Sequence, residues 1–185
     1  TGVKLDSAFL NSDGTINYCK MITYLTSHTD RNQLIMNDLV GNREHYNLIL
    51  SERVDHLRFL YEGLPPDLKS QAAVIDGSMT TKKKKAEREQ AIEDMRTGKK
   101  RYLFASYSLA KEGLDIPRLD RLYLTTPQKD YAVIVQGVGR IARTFEGKEQ
   151  PIAYDYVDFI RSLEKSFKKR CTSYRKCNCR ILEGE

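Results

Sequence analysis

The segment Gln136-Gly-Val-Gly-Arg140-Ile-Ala-Arg143 carries two arginines three residues apart. On a helix that spacing puts them on neighbouring positions, so both are expected to reach one target. A guanidinium is permanently charged, and its planar fork matches the oxygens of a phosphoryl group, including the charge that develops during transfer. Gly137 and Gly139 are expected to weaken the start of the helix and to let another backbone come close. Two other readings stay open on the residues alone. A GxG can belong to a dinucleotide fingerprint, but this one follows a helix and has Ala142 at the third glycine position, so only the looser G/A form fits. An isolated RxxR is more often a solvated face.

The surrounding chain alternates between short apolar runs and helical patterns. Tyr46 to Leu50, Ala72 to Ile75, Arg101 to Ala105, Arg121 to Thr125 and Ile152 to Val157 read as five strands. Each connection carries a helical pattern, as parallel strands require, so the expected fold is a three-layer α/β/α arrangement around a mainly parallel sheet. Ser51 is expected to cap the helix after the first strand, Gly63 and Pro65-Pro66 to stop it, Thr80 or Thr81 to open the next, and Asp130 to cap the helix leading to Arg143. Residues 1–45 form a helical approach segment, with Asp30 as a cap, and residues 159–185 a basic helical tail. The lobe itself is expected over 46–158.

Ligands of an open parallel sheet gather at the carboxyl ends of its strands. There the chain places Ser51-Glu52-Arg53, Asp76-Gly77-Ser78, Ser106-Tyr107-Ser108 and Thr126-Pro127-Gln128-Lys129. Hydroxyls, cations and a glycine on one rim suit a phosphate chain. Any one of these loops taken singly is an ordinary strand-end cap.

The chain has 185 residues, 40% of them hydrophobic, with 31 Lys and Arg against 25 Asp and Glu. It is long enough for a real core, and the net charge of +6 mildly favours a polyanionic partner. No apolar run approaches the ~20 residues of a membrane span, and the N-terminus lacks a signal pattern, so a cytoplasmic protein without a membrane partner is expected. A start at Thr1 rather than Met points to a fragment or a processed chain. Cys171, Cys177 and Cys179 offer three thiolates without a nearby fourth ligand, so no metal site is expected. The tail carries Lys165, Lys168, Lys169, Arg170 and Arg175, which could rest on nucleic acid or lie exposed; Lys82 to Lys85 is expected to be a solvated helix start, and His28, His45 and His56 structural.

Gln136 to Arg143 resembles motif VI of the superfamily 2 helicases, and Ser106 to Pro117, with Gly113, Asp115 and Pro117, resembles motif V. Tyr46 to Arg53 resembles motif IV, and Asp76-Gly77-Ser78-Met79 followed by Glu87-Arg88 resembles a further stretch of that family; the likeness covers about residues 45 to 158. It is nearest in character to phage and mobile-element helicases. The resemblance implies the second of two RecA-like lobes, which closes over a nucleotide held mainly by a first lobe. It implies ATP with Mg2+ as cofactor, nucleic acid as substrate and the N-terminal RecA-like lobe as partner. Arg143 matches the arginine finger, with Arg140 as a second phosphate contact and Gln136 coupling the phosphate region to the nucleic acid. Gly113 and Asp115 match nucleotide-contacting positions, with Asp115 touching the ribose or ordering the catalytic water through its neighbours, although a plain turn Asp before Ile116-Pro117 competes. Gly77 and Ser106 match sugar-phosphate contacts, which Ser51 and Arg53 extend.

Two departures qualify the resemblance. The interval from Ser106 to Gly113 is one residue longer than in DEAD-box proteins, which favours DNA over RNA. The sequence also contains neither GxxxxGK[ST] nor a DExx box, so this fragment alone is expected to be inactive in ATP hydrolysis. Two rival roles are a nucleic-acid binding module without ATPase coupling and a lobe of a protein-translocating ATPase.

Overall fold

The structure, a computed structural model, describes residues 9–111, 114–128 and 130–182. Helices α1 (Tyr18–Ser27) and α2 (Thr29–Gly41) lead into strand β1 (Asn47–Ser51). Then follow α3 (Val54–Glu62), α4 (Pro66–Ser70), β2 (Ala72–Ile75), α5 (Lys82–Thr97), β3 (Tyr102–Ser106), α6 (Tyr107–Lys111), β4 (Arg121–Leu124), α7 (Tyr131–Ile141), β5 (Ile152–Asp155) and α8 (Arg161–Lys176).

The strands form one sheet in the order β2-β3-β1-β4-β5, and all four pairings are parallel. Side chains alternate faces along a strand, and the sequence places apolar residues on both. Leu48 and Leu50, Leu103 and Ala105, Leu122 and Leu124 enter one core with α5, α6 and α7. Ile49, Tyr102, Phe104 and Tyr123 enter the other, with Ile35 and Leu39 of α2, Leu57 and Leu60 of α3 and Leu68 of α4. The central strands β3, β1 and β4 are buried throughout, whereas β5 at one edge is half-open. A third cluster joins α1 (Met21, Ile22, Leu25) to Ile160 and Leu163 at the start of α8.

Several caps differ from expectation. α2 begins at Thr29, so the cap falls on His28, whose ring accepts from the Arg31 amide, and not on Asp30. Ser51 stays inside β1 as its last residue, and the N-cap position of α3 falls on Arg53 without a side-chain bond. Pro66 opens the short helix α4, where its missing N–H is no loss. Thr81 and Asp130 do cap α5 and α7, accepting from the Lys84 and Ala132 amides.

Buried charge fastens the flanking helices to the sheet. Arg31 of α2 is fully buried and donates to Asp158 Oδ1 at 3.0 Å and to the Thr125 carbonyl at 2.7 Å, just beyond the carboxyl ends of β5 and β4. Arg170 of α8 grips Asp155, the last residue of β5, through two bonds of 2.7 and 2.8 Å, and Tyr174 donates to the same carboxylate at 2.7 Å. Such fork-to-carboxylate pairs fix orientation as well as distance. Among the described residues no helix is long and apolar enough to cross a membrane.

Candidate nucleotide and nucleic-acid interface

Helix α7 sorts the candidate residues into two groups. A helix following a parallel strand runs back along it, so Asp130 lies at the carboxyl end of β4 and Ile141 toward its amino end. Gly137 already packs on Leu122, the second residue of β4. At 11 residues, α7 is about 16 Å long from end to end. Arg140 and Arg143 therefore lie at the opposite end of the sheet from the loops of the carboxyl rim.

The two arginines do not converge on one external target. Arg140 is buried; its Nε donates to the Ala110 carbonyl at 3.0 Å and its terminal nitrogens to the Ala110 and Leu114 carbonyls. Burial lowers its pKa. In this structure it ties Ala110 and Leu114 to α7, and its fork is not presented to a phosphate. The reason is local: Arg140 shares the inward face of α7 with Val133, Gly137 and Ile141, whereas Arg143 emerges beyond the helix end. Arg143 is exposed and ion-paired with Asp115. Gln136, one heptad before Arg143, is exposed on the same side. Asp115 is held from behind, its carbonyl accepting from Arg96 Nε at 2.6 Å, and Lys148 Nζ ties the Pro117 and Arg143 carbonyls at 3.1 and 2.7 Å. Gly113 lies outside the described residues.

Gly137 and Gly139 sit in the second half of α7, not at its start. A Cβ on Gly137 would stand 3.1 Å from Leu122 Cδ2, so the close approach there is to a side chain; a Cβ on Gly139 would meet nothing within 4 Å.

At the carboxyl rim, the loop after β4 is bonded to its neighbours. The Glu52 amide donates to Thr126 Oγ1 at 2.9 Å, and the Tyr107 hydroxyl donates to the Thr126 carbonyl at 2.8 Å. Gly77 is exposed, has no positive φ, and has open space where a Cβ would lie, so the chain's own packing does not demand a glycine there. Beside it burial raises the pKa of Asp76, but hydrogen bonds from Ser78 and Arg58 outweigh this and hold the carboxyl below its usual range. Ser106 is nearly buried, with its hydroxyl 2.9 Å from that of Ser108. Arg53 is half-buried, and its shielded Nε has no partner.

Ser51 is not on this surface. It is fully buried, accepts from the Arg53 amide at 3.1 Å and meets His56 Nδ1 at 3.2 Å, while His56 Nε2 lies 2.9 Å from Asn32 Oδ1. A strand-end serine pointing into the layer between sheet and helices orders the loop from inside, so Ser51 is corrected from track residue to scaffold. Arg170 is likewise no exposed tail cation but the buried clamp on Asp155. The basic composition of α8 hid that role, because only the sheet topology brings Asp155 opposite it.

The family described as helicase conserved C-terminal domain matches residues 18–145. A protein of Acanthamoeba polyphaga mimivirus, provisionally named an ATP-dependent RNA helicase, is 32% identical over 178 residues, covering 92% of this chain and 31% of its own length. A provisionally named helicase of a Sulfolobus islandicus filamentous virus is 25% identical over 140 residues, 76% of this chain and 24% of its own. The chain thus spans about a third or less of these relatives. Among solved structures, a DEAD box protein from Methanococcus jannaschii superposes with a TM-score of 0.60 at 20% identity, over 83% of this chain and 39% of that one. T4 UvsW gives 0.65 at 18%, over 86% and 35%, and the C-terminal domain of Dbp5 gives 0.59 at 21%, over 82% and 80%. At these identities the structural likeness shows the fold.

Proposed function

The chain belongs to the helicase conserved C-terminal domain family, as the RecA-like second lobe of a superfamily 2 helicase, and from that premise we propose that it acts in an ATP-dependent nucleic-acid motor by supplying an arginine finger at one end of α7 and a backbone track at the other. Residues 46–158 would be the motor lobe proper, flanked by 1–45 and 159–185.

The observation that best supports this reading is the fate of the two arginines. Arg140 is locked inside, whereas Arg143 is exposed and, among the described residues, its guanidinium pairs with an exposed carboxylate. A guanidinium so placed can exchange Asp115 for a phosphoryl oxygen when a first lobe brings nucleotide against this surface. ATP, held with Mg2+ mainly by that first lobe, supplies the phosphoryl group and the free energy of its hydrolysis. Arg143 would stabilise charge that develops in transfer, Asp115 would approach the ribose, and Arg140 would keep Ala110 and Leu114 tied to α7, at a phosphate only after leaving their carbonyls. Gln136 lies between finger and rim. At the rim, open Gly77, Ser106 and Arg53 would follow a sugar-phosphate backbone, contacts that carry no sequence information and suit movement along any sequence. The Ser106–Gly113 interval leads us to propose DNA as the preferred strand, whereas the mimivirus relative is named for RNA. Competition between DNA and RNA strands of equal length in stimulating hydrolysis tests that choice.

The finger is tested by Arg143→Ala in the whole protein, with nucleotide binding and steady-state hydrolysis measured on one preparation. Nucleotide affinity is expected to persist while turnover falls by about 10³ or more. Arg143→Lys should rescue poorly, because an ammonium lacks the planar fork. Normal turnover, or a loss explained by weaker binding, would remove Arg143 from the role.

A further inference from the structure

The surface formed by Tyr131 and the outer face of α8 is used by neither group of residues above. Tyr131 opens α7 on the carboxyl rim, is 51% exposed, and carries Lys176 Nζ 5.7 Å from its ring centroid. A large aromatic ring left open at a helix start is not explained by the core. Helix α8 buries Leu163, Arg170, Cys171, Ser173 and Tyr174 and exposes Lys165, Lys168, Lys169, Arg175 and Lys176. Those five cations follow helical spacing along one face, with the acidic Glu164 at its beginning. Charge alone would make this a solvated face.

Its placement argues for more. Arg170 donates both to Asp155 at the end of β5 and to the Gln128 carbonyl at 3.1 Å in the loop before α7, so α8 is pinned across the carboxyl rim. In the sheet order, Gly77 follows β2, Ser106 ends β3, Arg53 follows β1, Tyr131 follows β4 and α8 follows β5. At about 4.8 Å per strand, the carboxyl ends of β2 and β4, which lead to Gly77 and Tyr131, lie about 14 Å apart along the rim. One ring face of Tyr131 meets an ammonium and the ring remains half open. A half-open aromatic ring for a base, next to cations for phosphates, is the composition of a single-strand stacking platform.

We infer that a single strand of nucleic acid leaving the Gly77–Arg53 track stacks a base on Tyr131 and lays its phosphates along the Lys168, Lys169 and Lys176 face of α8. This rests on the track proposed above but uses different residues and a different interaction, stacking.

The test uses the whole protein, fluorescent homopolymer strands and abasic strands of the same length and charge. Tyr131→Ala is expected to weaken binding of the base-bearing strand about five-fold or more and to leave the abasic strand unchanged. Tyr131→Phe should bind like wild type. Replacing Lys168, Lys169 and Lys176 by Gln should flatten the slope of log affinity against log salt by about 2. Full affinity of Tyr131→Ala for the base-bearing strand, or an equal loss on the abasic strand, overturns the platform. Arg53→Ala reads the track separately. If it weakens both strands while Tyr131→Ala weakens neither, the track stands and the platform falls. If Tyr131→Ala weakens binding and Arg53→Ala does not, the platform stands and the track assignment falls. Absence of salt-sensitive binding by the wild-type protein removes both.

Discussion

The Arg143 guanidinium is ion-paired with the Asp115 carboxylate, both at the surface, with side chains 43% and 61% exposed. Two segments 28 residues apart in sequence thus meet through a contact that water screens. Exposed pairs of this kind contribute at most about 1 kcal/mol, so this one does not hold the lobe together and can yield to another anion. Asp115→Asn is expected to shift the thermal midpoint by no more than about 4 °C. Turnover should stay within about five-fold of wild type, with the loss concentrated in KM if the carboxylate approaches the ribose. A collapse of turnover at unchanged KM would place Asp115 in the chemistry itself.

Arg140 gives the opposite pattern. It is 7% exposed and its guanidinium serves the Ala110 and Leu114 carbonyls. Hydrogen bonds from a charged donor stabilise by about 1.5–3 kcal/mol, and truncation also leaves the carbonyls short of a donor. Arg140→Ala should therefore cost about 3 kcal/mol and lower the midpoint by about 6–12 °C in calorimetry. Arg143→Ala should leave the midpoint within about 4 °C. Equal melting of the two variants would contradict the division between a buried splint and an exposed finger.

The contrast between these arginines also marks where the sequence stops being legible. The five strands were readable because each is a short apolar run buried on both faces, and Ala72–Ile75 matches the structure residue for residue. The cap of α7 at Asp130 and the glycine stop of α5, with Gly98 at φ 83°, follow from local rules. The facing of Arg140 does not. Its spacing from Arg143 fixes their relative angle, but which one turns inward depends on carbonyls at 110 and 114 that only the α6–α7 packing brings near. The same holds for Ser51, whose hydroxyl chemistry suggests a ligand until His56 and Asn32 enclose it. An aromatic at a helix start, such as Tyr131, reads as core from sequence, and only its exposure distinguishes it.

That enclosed group predicts an acid sensitivity. Burial, together with the nearby Arg31 charge, pushes the His56 pKa down from 6.5 to about 3. Below pH 6.5 the unfolded chain takes up a proton that the folded chain refuses. The folded state is thus undiminished by this group above that pH, and loses up to about 1.4 kcal/mol per pH unit as pH falls toward 3. Thermal midpoints measured from pH 7.5 down to about pH 5 should fall with acidity, and His56→Gln, which carries no titrating group, should flatten that dependence whatever its effect at neutral pH. A wild-type midpoint independent of pH over this range would mean that His56 protonates freely in the fold.

The two glycines of α7 should respond in opposite directions to the same change. Alanine is favoured over glycine in a helix interior by about 1 kcal/mol, and both positions have helical backbone. At Gly137 the new Cβ would stand 3.1 Å from Leu122 Cδ2, and Leu122 is fully buried between α7 and the sheet. Relieving that contact moves packed side chains, which typically costs about 1–3 kcal/mol and outweighs the helix gain. Gly137→Ala should lower the midpoint. At Gly139 the Cβ enters open space, so the helix gain stands alone and the midpoint should rise by about 2–4 °C. Gly139 is flanked by Val138 and Arg140, exposed on the outer side of α7, three residues from Gln136 and four from Arg143. If the first lobe closes against that side, a methyl group there meets the partner and not this chain. Gly139→Ala should then stabilise the lobe while reducing hydrolysis in the whole protein. A variant more stable and fully active would show that closure leaves Gly139 uncovered, and would move the contact surface of the first lobe off this side of α7.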